Sequence, residues 1–119
     1  MKILIVDDSK AMRMIVKRTL RQAGYGEATV EEAANGVEGV AAAKSFNPDI
    51  ILSDWNMPEM NGLTFLETIR AEGIDTPFGF ITTEGTPEMM ETAKSSGAQF
   101  LITKPFTVET FQEKLGVVV

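Results

Sequence analysis

The segment Ile3-Leu4-Ile5-Val6-Asp7-Asp8-Ser9 decides the fold of this chain. Four consecutive apolar residues, most of them β-branched, are typical of a short strand that is buried on both faces of a parallel sheet. Two aspartates stop the run at once, so it is too short to be a signal sequence or a membrane span. Ser9 is a favourable N-cap residue, and a helix is expected to follow directly. The segment therefore predicts the first strand–helix unit of an α/β fold.

The same strand–helix unit recurs along the rest of the chain. Apolar residues at helical spacing continue the first helix until Gly24, namely Met12, Ile15, Val16, Thr19, Leu20 and Ala23. Further strands are predicted at 28–34, 50–52, 78–81 and 100–102, and further helices at 37–45, 62–71 and 87–95, with a last helix capped by Thr107. Five such units predict right-handed crossovers and helices on both faces of a parallel sheet. Their number indicates a doubly wound, flavodoxin-like (βα)5 fold with strand order 2-1-3-4-5.

The composition narrows the possible chemistry. A length of 119 residues fits one domain, expected to span residues 1–119. The chain has no Cys and no His, which excludes disulfide scaffolds, thiolate zinc sites and imidazole-based catalysis. A metal would then be bound by oxygen, which favours Mg²⁺ or Ca²⁺. The net charge of −6 argues against a nucleic-acid-binding surface.

Polar residues follow four of the predicted strands. Asp7 and Asp8 follow the first strand, Asp54 the third, Thr82 the fourth and Lys104 the fifth. In open α/β sheets, ligands bind at the carboxyl ends of the strands, where the winding reverses. Two like charges about 4 Å apart repel by roughly 1 kcal/mol in water and about 4 kcal/mol at an effective dielectric constant of 20. One lysine does not balance three carboxylates, so this edge of the sheet is predicted to bind Mg²⁺ and a phosphate group.

Taken singly, each of these residues has an ordinary structural interpretation. An acidic pair after a strand is typical of a solvated loop or a helix cap. A threonine at a strand end commonly bonds to the backbone, and a lone lysine is commonly a solvated surface charge. The functional prediction therefore depends on their joint occurrence at the ends of the first, third, fourth and fifth strands.

Four ordered motifs resemble the receiver domain of two-component response regulators. The chain shows Val6-Asp7-Asp8-Ser9 with Met12-Arg13, then Ser53-Asp54-Trp55-Asn56-Met57-Pro58 with Asn61-Gly62, then Thr82 with Glu84, then Lys104-Pro105-Phe106. The resemblance covers nearly the whole chain. The segment Asp54-Trp55-Asn56-Met57-Pro58 is similar to the CheY-like chemotaxis branch of that family.

The resemblance implies a role for each acidic residue. Asp54 would be the phosphoacceptor, whose carboxylate attacks phosphorus to give an aspartyl phosphate. Asp8 and Asp54 would bind Mg²⁺ directly, together with the backbone carbonyl of Asn56, and Asp7 would act mostly through water. Lys104 would pair with a phosphoryl oxygen. Because this chain has no histidine, the phosphohistidine donor would belong to a partner kinase of the CheA type.

The resemblance also implies a conformational switch. Thr82 would move toward the phosphoryl group, and Lys104 would precede the family's cis-proline, Pro105. The family usually has an aromatic residue where this chain has Leu101, so the expected rotamer switch is in doubt. Leu101 would fill the vacated space, or Phe100 would replace the aromatic residue through a changed strand register.

The implied partners are proteins. A target such as a flagellar motor switch component would bind the face formed by helix four, strand five and helix five, and a phosphatase would be a further partner. Asn56 and Glu84 resemble residues that control dephosphorylation, although they are equally well interpreted as ordinary surface residues. The chain is expected to be a cytoplasmic, monomeric signalling protein without an output domain. It would catalyse its own phosphorylation and dephosphorylation and would not otherwise be an enzyme.

Other functional classes fit the residues less well. Aspartyl-phosphate phosphatases generally carry an Asp-x-Asp pattern after strand one and a cap domain, and Asp7-Asp8-Ser9 lacks that spacing. A flavodoxin-like cofactor carrier needs a first loop that cradles phosphate with backbone amides, and two aspartates would repel that phosphate. A receiver-like domain that acts by contact alone would not need Asp8, Asp54, Thr82 and Lys104 together. The residues also allow an alternative function, as the receiver module of a phosphorelay outside chemotaxis.

Overall fold

The computed structural model describes residues 1–119 and contains five strands that alternate with five helices. The strands are β1 (Lys2–Val6), β2 (Thr29–Ala33), β3 (Ile50–Ser53), β4 (Phe78–Thr82) and β5 (Phe100–Thr103). The helices are α1 (Lys10–Leu20), α2 (Gly36–Ser45), α3 (Gly62–Ala71), α4 (Pro87–Ser95) and α5 (Val108–Gly116). No helix is both long enough and apolar enough to cross a lipid bilayer.

The strands form one sheet in the order β2-β1-β3-β4-β5, and every neighbouring pair is parallel. The predicted flavodoxin-like topology is therefore confirmed. Val6 at the end of β1 pairs with Ser53 at the end of β3, so the residues after both strands reach the same edge. The winding reverses between β1 and β3, which is where this class of fold forms a binding crevice.

Two buried clusters cover the two faces of the sheet. On one face α2, α3 and α4 pack around Phe65, Phe78 and Phe80, whose side chains are fully buried. On the other face α1 and α5 pack against β1, β3 and β5 around Leu20 and Phe111. Burial of each such side chain contributes about 1.5–3 kcal/mol relative to exposure. Apolar β1 and β3 are consequently buried on both faces, as their sequences predict.

The glycine within β4 has a packing reason. The ring of Phe100 on β5 lies over Gly79, and a Cβ added at Gly79 would overlap that ring. The two residues are partners in the register of β4 and β5. Gly79 therefore marks the close approach of an aromatic ring, and it does not interrupt the strand.

Two details of the predicted helices are wrong. The first helix leaves α geometry at Leu20 and continues as a π-helical turn, Arg21–Tyr25, because Gly24 takes a positive φ of 105° inside it. Ile15, predicted on the core face, is 37% exposed, and it lines an open pocket together with Pro105 and Phe106 of the loop after β5.

Candidate functional site

Three carboxylates meet at the carboxyl edge of the sheet. Asp7 and Asp8 follow β1, Asp54 follows β3, and one oxygen of each lies within 4.8 Å of the others. The strand ladder continues one residue past β1 and β3 and aligns them: Asp7 N–H donates to the carbonyl of Ala33 at 3.0 Å, and Asp54 N–H donates to the carbonyl of Val6 at 2.9 Å. The sheet therefore brings the three aspartates together at one edge, as the sequence predicts.

The carboxylates of Asp7 and Asp54 are held in the same way. Oδ1 of Asp7 accepts the backbone N–H of Ser9 at 2.9 Å, and Oδ1 of Asp54 accepts that of Trp55 at 2.7 Å. Each bond fixes one oxygen and leaves the other, Oδ2, directed toward Lys104. The local backbone thus orients both side chains before any ligand arrives.

Lys104 supplies the cation of the cluster. Its Nζ lies 3.3 Å from Asp54 Oδ2 and 3.5 Å from Asp7 Oδ2, and its side chain is only 13% exposed. Its backbone N–H donates to the carbonyl of Thr82 at 2.7 Å, which ties the ends of β4 and β5 together. The Lys104–Pro105 peptide bond is cis, as the resemblance implies.

The cluster keeps an excess of negative charge. Burial raises the pKa of Asp7, and the neighbouring carboxylates of Asp54 and Asp8 raise it further, against the opposing effects of Ser9 N–H and Lys104. All the side-chain donors are hard oxygens, and the one ammonium group contacts two of the three carboxylates. This donor set and charge fit a divalent cation such as Mg²⁺.

Asp8 allows a direct test of this charge excess. Its carboxylate is exposed and makes no hydrogen bond or ion pair with the protein, so Asp8→Asn removes repulsion without breaking a contact. Without metal, we expect Asp8→Asn to be more stable than wild type, with a free energy of unfolding about 0.5–1 kcal/mol higher in urea titrations. We also expect it to lose most of the stabilisation that added Mg²⁺ gives the wild type. If Asp8→Asn and wild type have the same free energy of unfolding both with and without Mg²⁺, the interpretation of the cluster as a cation site is contradicted.

The remaining predicted residues lie around this cluster. Thr82 is completely buried at the end of β4, and its hydroxyl accepts the backbone N–H of Glu84 at a long 3.4 Å. Asn56 lies in the exposed loop after Asp54, and Glu84 lies in the exposed loop after β4. The side chains of Asn56 and Glu84 make no hydrogen bond with the protein, so both are free to contact a ligand or water.

The two candidates for the aromatic switch position face opposite sides of the sheet. Leu101 is 8% exposed and packs in the α2–α3–α4 cluster, where it pairs in register with Phe80. Phe100 belongs to the other cluster. The changed strand register is therefore not adopted, and Leu101 occupies the position itself.

Two contacts at the site are not predicted by the sequence. Arg13 Nη1 donates to the backbone carbonyl of Asp7 at 2.5 Å, a contact that the motif Met12-Arg13 does not itself predict. Gly62 begins α3 directly against the Asp54 carbonyl, and an added Cβ would overlap that oxygen. A glycine immediately after the Asn61 N-cap was the available signal for this close approach.

Trp55 places a fluorescent group beside the cluster. It follows Asp54 directly, and its ring lies against Phe80 with 4.6 Å between ring centroids. Its backbone N–H contacts the Asp54 carboxylate, so a ligand on that carboxylate changes the surroundings of the indole. It is the only tryptophan in the chain, which makes its emission an unambiguous measurement.

Comparison with curated proteins finds chemotaxis regulators among the similar sequences. The family model of the response regulator receiver domain matches residues 3–116. The chain is 44% identical over 122 residues to the chemotaxis protein CheY1 of Helicobacter pylori, with 99% of this chain and 96% of that protein covered. It is 43% identical over 118 residues to a chemotaxis protein CheY homolog of Campylobacter jejuni, with 97% and 89% covered.

Solved structures agree with these relatives. Chemotaxis protein CheY4 of Vibrio cholerae superposes with a TM-score of 0.87 at 41% identity, covering 99% of this chain and 98% of that one. The receiver domain of the Francisella response regulator 1452 superposes with a TM-score of 0.87 at 26% identity, covering 98% and 94%. This chain therefore belongs to the response regulator receiver domain family, among the receivers of CheY-type chemotaxis regulators.

Proposed function

We propose that this protein accepts a phosphoryl group on Asp54 from a partner histidine kinase and then changes its affinity for a target protein. The observation that carries the proposal is the position of Lys104, whose Nζ contacts both Asp54 and Asp7 inside a cluster of three carboxylates. A largely buried lysine beside a carboxylate nucleophile is a charge arrangement that favours phosphoryl transfer.

The acidic cluster is proposed to bind Mg²⁺. Asp8 and Asp54 would bind it directly with the backbone carbonyl of Asn56, and Asp7 would act through water. The bound ion would offset the charge of the transferring phosphoryl group. The support for this assignment is the all-oxygen donor set and the charge excess of the three aspartates over Lys104.

Asp54 would be the nucleophile, and the neighbouring Trp55 N–H and Lys104 would orient it. A carboxylate oxygen of Asp54 would form the new bond to phosphorus while the phosphorus–nitrogen bond of the donor phosphohistidine breaks and the imidazole leaves. The Trp55 N–H bond to Oδ1 holds the carboxylate in one orientation, which reduces the entropy lost on reaching the reactive geometry. Lys104 Nζ lies 3.3 Å from Asp54 Oδ2 and would pair with an oxygen of the phosphoryl group that Asp54 accepts.

Phosphorylation would be read out on one face of the molecule. Thr82 would turn its hydroxyl to a phosphoryl oxygen, and the loop to α4 would follow, with Leu101 filling the space beneath it. Pro105 would hold the loop after Lys104 in place. The face of α4, β5 and α5 would then bind the target, and on α4 it includes Met90, which is 41% exposed.

The relatives suggest a place in chemotaxis. The donor would be a CheA-like kinase and the target a flagellar motor switch component, with a phosphatase as a further partner. Asn56 and Glu84, exposed beside the cluster, would control the access of water to the aspartyl phosphate. The protein would act in the cytoplasm as a monomer and would catalyse only its own phosphorylation and dephosphorylation.

The proposal is tested by phosphorylation from a small molecule. We expect the protein with Mg²⁺ and acetyl phosphate to gain one phosphoryl group by intact mass, in parallel with a change of Trp55 fluorescence. Excess EDTA is expected to suppress both signals, and sodium sulfate in place of acetyl phosphate controls for ionic strength. Equal labelling in EDTA would contradict the metal-dependent mechanism. Rapid hydrolysis of acetyl phosphate over many turnovers would instead favour a phosphatase.

A further inference from the structure

Arg13, in the first turns of α1, connects two parts of the molecule. Its Nη1 donates to the backbone carbonyl of Asp7, and its Nε lies 2.8 Å from Oε1 of Glu32 on β2. The Arg13 side chain is only 15% exposed. We propose that Arg13, anchored by Glu32, is a positioning residue that holds Asp7 and Asp8 in the geometry required to bind the cation.

The position of Glu32 on β2 is unusual for an acidic residue. Glu32 pairs in register with Ile5, and Val30, two residues earlier on the same face of β2, packs against the α1–α5 cluster. Alternation along the strand therefore places Glu32 on the face that α1 covers, where an apolar side chain would be expected. There it contacts Arg13 and also Lys17, whose Nζ lies 3.3 Å from Oε2.

The surroundings of Glu32 keep it charged. Partial burial opposes ionisation, but hydrogen bonds and charge from Arg13 and Lys17 outweigh it and lower the pKa of Glu32. Arg13 is thus bound at one end by an ionised carboxylate, so its planar guanidinium has a fixed direction. The other end of that guanidinium is then directed at one backbone oxygen, that of Asp7.

That oxygen controls the orientation of Asp8. The carbonyl of Asp7 and the N–H of Asp8 belong to one planar peptide unit, so fixing the carbonyl fixes the direction in which the chain enters Asp8. The Asp8 carboxylate has no protein partner of its own, and the backbone alone places it. Asp7 is additionally held through Ser9 N–H. Loss of Arg13 would therefore misplace Asp8 more than Asp7.

Electrostatics alone predicts the opposite effect of removing Arg13. Arg13 is a cation next to the proposed Mg²⁺ site, so its removal would strengthen Mg²⁺ binding if only charge mattered. A positioning role predicts weaker binding, because outer contacts that orient metal ligands affect affinity by about 10–100-fold. The sign of the change therefore separates the two explanations.

The inference rests on the proposed function and is tested by Mg²⁺ titration without any phosphate donor. Trp55 fluorescence is followed in wild type, Arg13→Ala, Glu32→Ala and Lys17→Ala, with thermal unfolding to verify folding. We expect binding about tenfold weaker in Arg13→Ala and weakened in the same direction in Glu32→Ala. Lys17→Ala is the matched control, because Lys17 contacts Glu32 without touching Asp7, and its affinity is expected to match wild type.

A second measurement needs no metal. In metal-free protein we expect the amide of Ser9, which donates to Asp7, to exchange with solvent at least about threefold faster in Arg13→Ala than in wild type, with β1 amides unchanged. Unchanged or tighter Mg²⁺ binding by Arg13→Ala, together with unchanged Ser9 exchange, would overturn the inference. Failure of wild type to bind Mg²⁺ would contradict the proposed function instead, and Ser9 exchange would still decide the role of Arg13.

Discussion

Asp54→Asn is expected to abolish phosphorylation by acetyl phosphate in the presence of Mg²⁺. The amide has no anionic oxygen to attack phosphorus, so the rate of incorporation should fall by about a thousandfold or more. The fold should survive, because the asparagine Oδ1 still accepts the Trp55 N–H and Lys104 keeps its contact with Asp7. Intact mass and tandem mass spectrometry of rapidly quenched samples measure the loss.

Asp49→Asn is the matched control for this variant. Asp49 precedes β3 at the opposite edge of the sheet, where its Oδ2 accepts the backbone N–H of Lys2, a bond that asparagine can keep. The same substitution at the two ends of one strand should leave phosphorylation intact in Asp49→Asn and remove it in Asp54→Asn. A phosphoryl group found on Asp7 or Asp8, or undiminished labelling of Asp54→Asn, would disprove the assignment of the phosphoacceptor.

Thr82→Ala is expected to take up phosphate and yet lose the response to it. The buried Thr82 hydroxyl has only the long contact with Glu84 N–H, so it is available to bond a phosphoryl oxygen. A hydrogen bond to a charged group contributes about 1.5–3 kcal/mol, which equals a shift of roughly 10–150-fold in the equilibrium between two conformations. The response is measured by NMR shifts of α4 and β5 amides on phosphorylation and by titration against the proposed target, a flagellar motor switch component.

Thr83→Ala removes the neighbouring hydroxyl and serves as the comparison. Thr83 is exposed and makes no hydrogen bond with the protein, so this variant should respond to phosphorylation as wild type does. Both variants should incorporate phosphate to the same extent. If Thr82→Ala keeps the full change in α4 and in target affinity, the switch does not operate through this hydroxyl.

Much of the fold could be predicted because its signals are local. The apolar runs of β1 and β3 and the caps of the helices depend on neighbouring residues alone, and all five predicted strands are present. The exposure of Ile15 could not be predicted, since helical spacing indicates a face of α1 and not how closely the loop after β5 covers each position on that face. The π-helical turn before Gly26 likewise depends on how the chain leaves α1.

The candidate site divides in the same way. Asp7, Asp8, Asp54 and Lys104 could be grouped from sequence because the carboxyl ends of parallel strands share one edge. The contact of Glu32 with Arg13 could not be predicted from sequence. Glu31 and Glu32 are adjacent, and only the register with β1 decides which of them faces α1.

The backbone of Asp54 is held at both its N–H and its carbonyl. The Asp54 N–H donates to the carbonyl of Val6, and the Asp54 carbonyl accepts the Ser53 hydroxyl at 2.8 Å. The same carbonyl lies so close to Gly62 that a Cβ added at Gly62 would overlap it. These contacts fix the backbone of the proposed phosphoacceptor, so we expect a conformational response to begin in the side chains that approach the phosphoryl group.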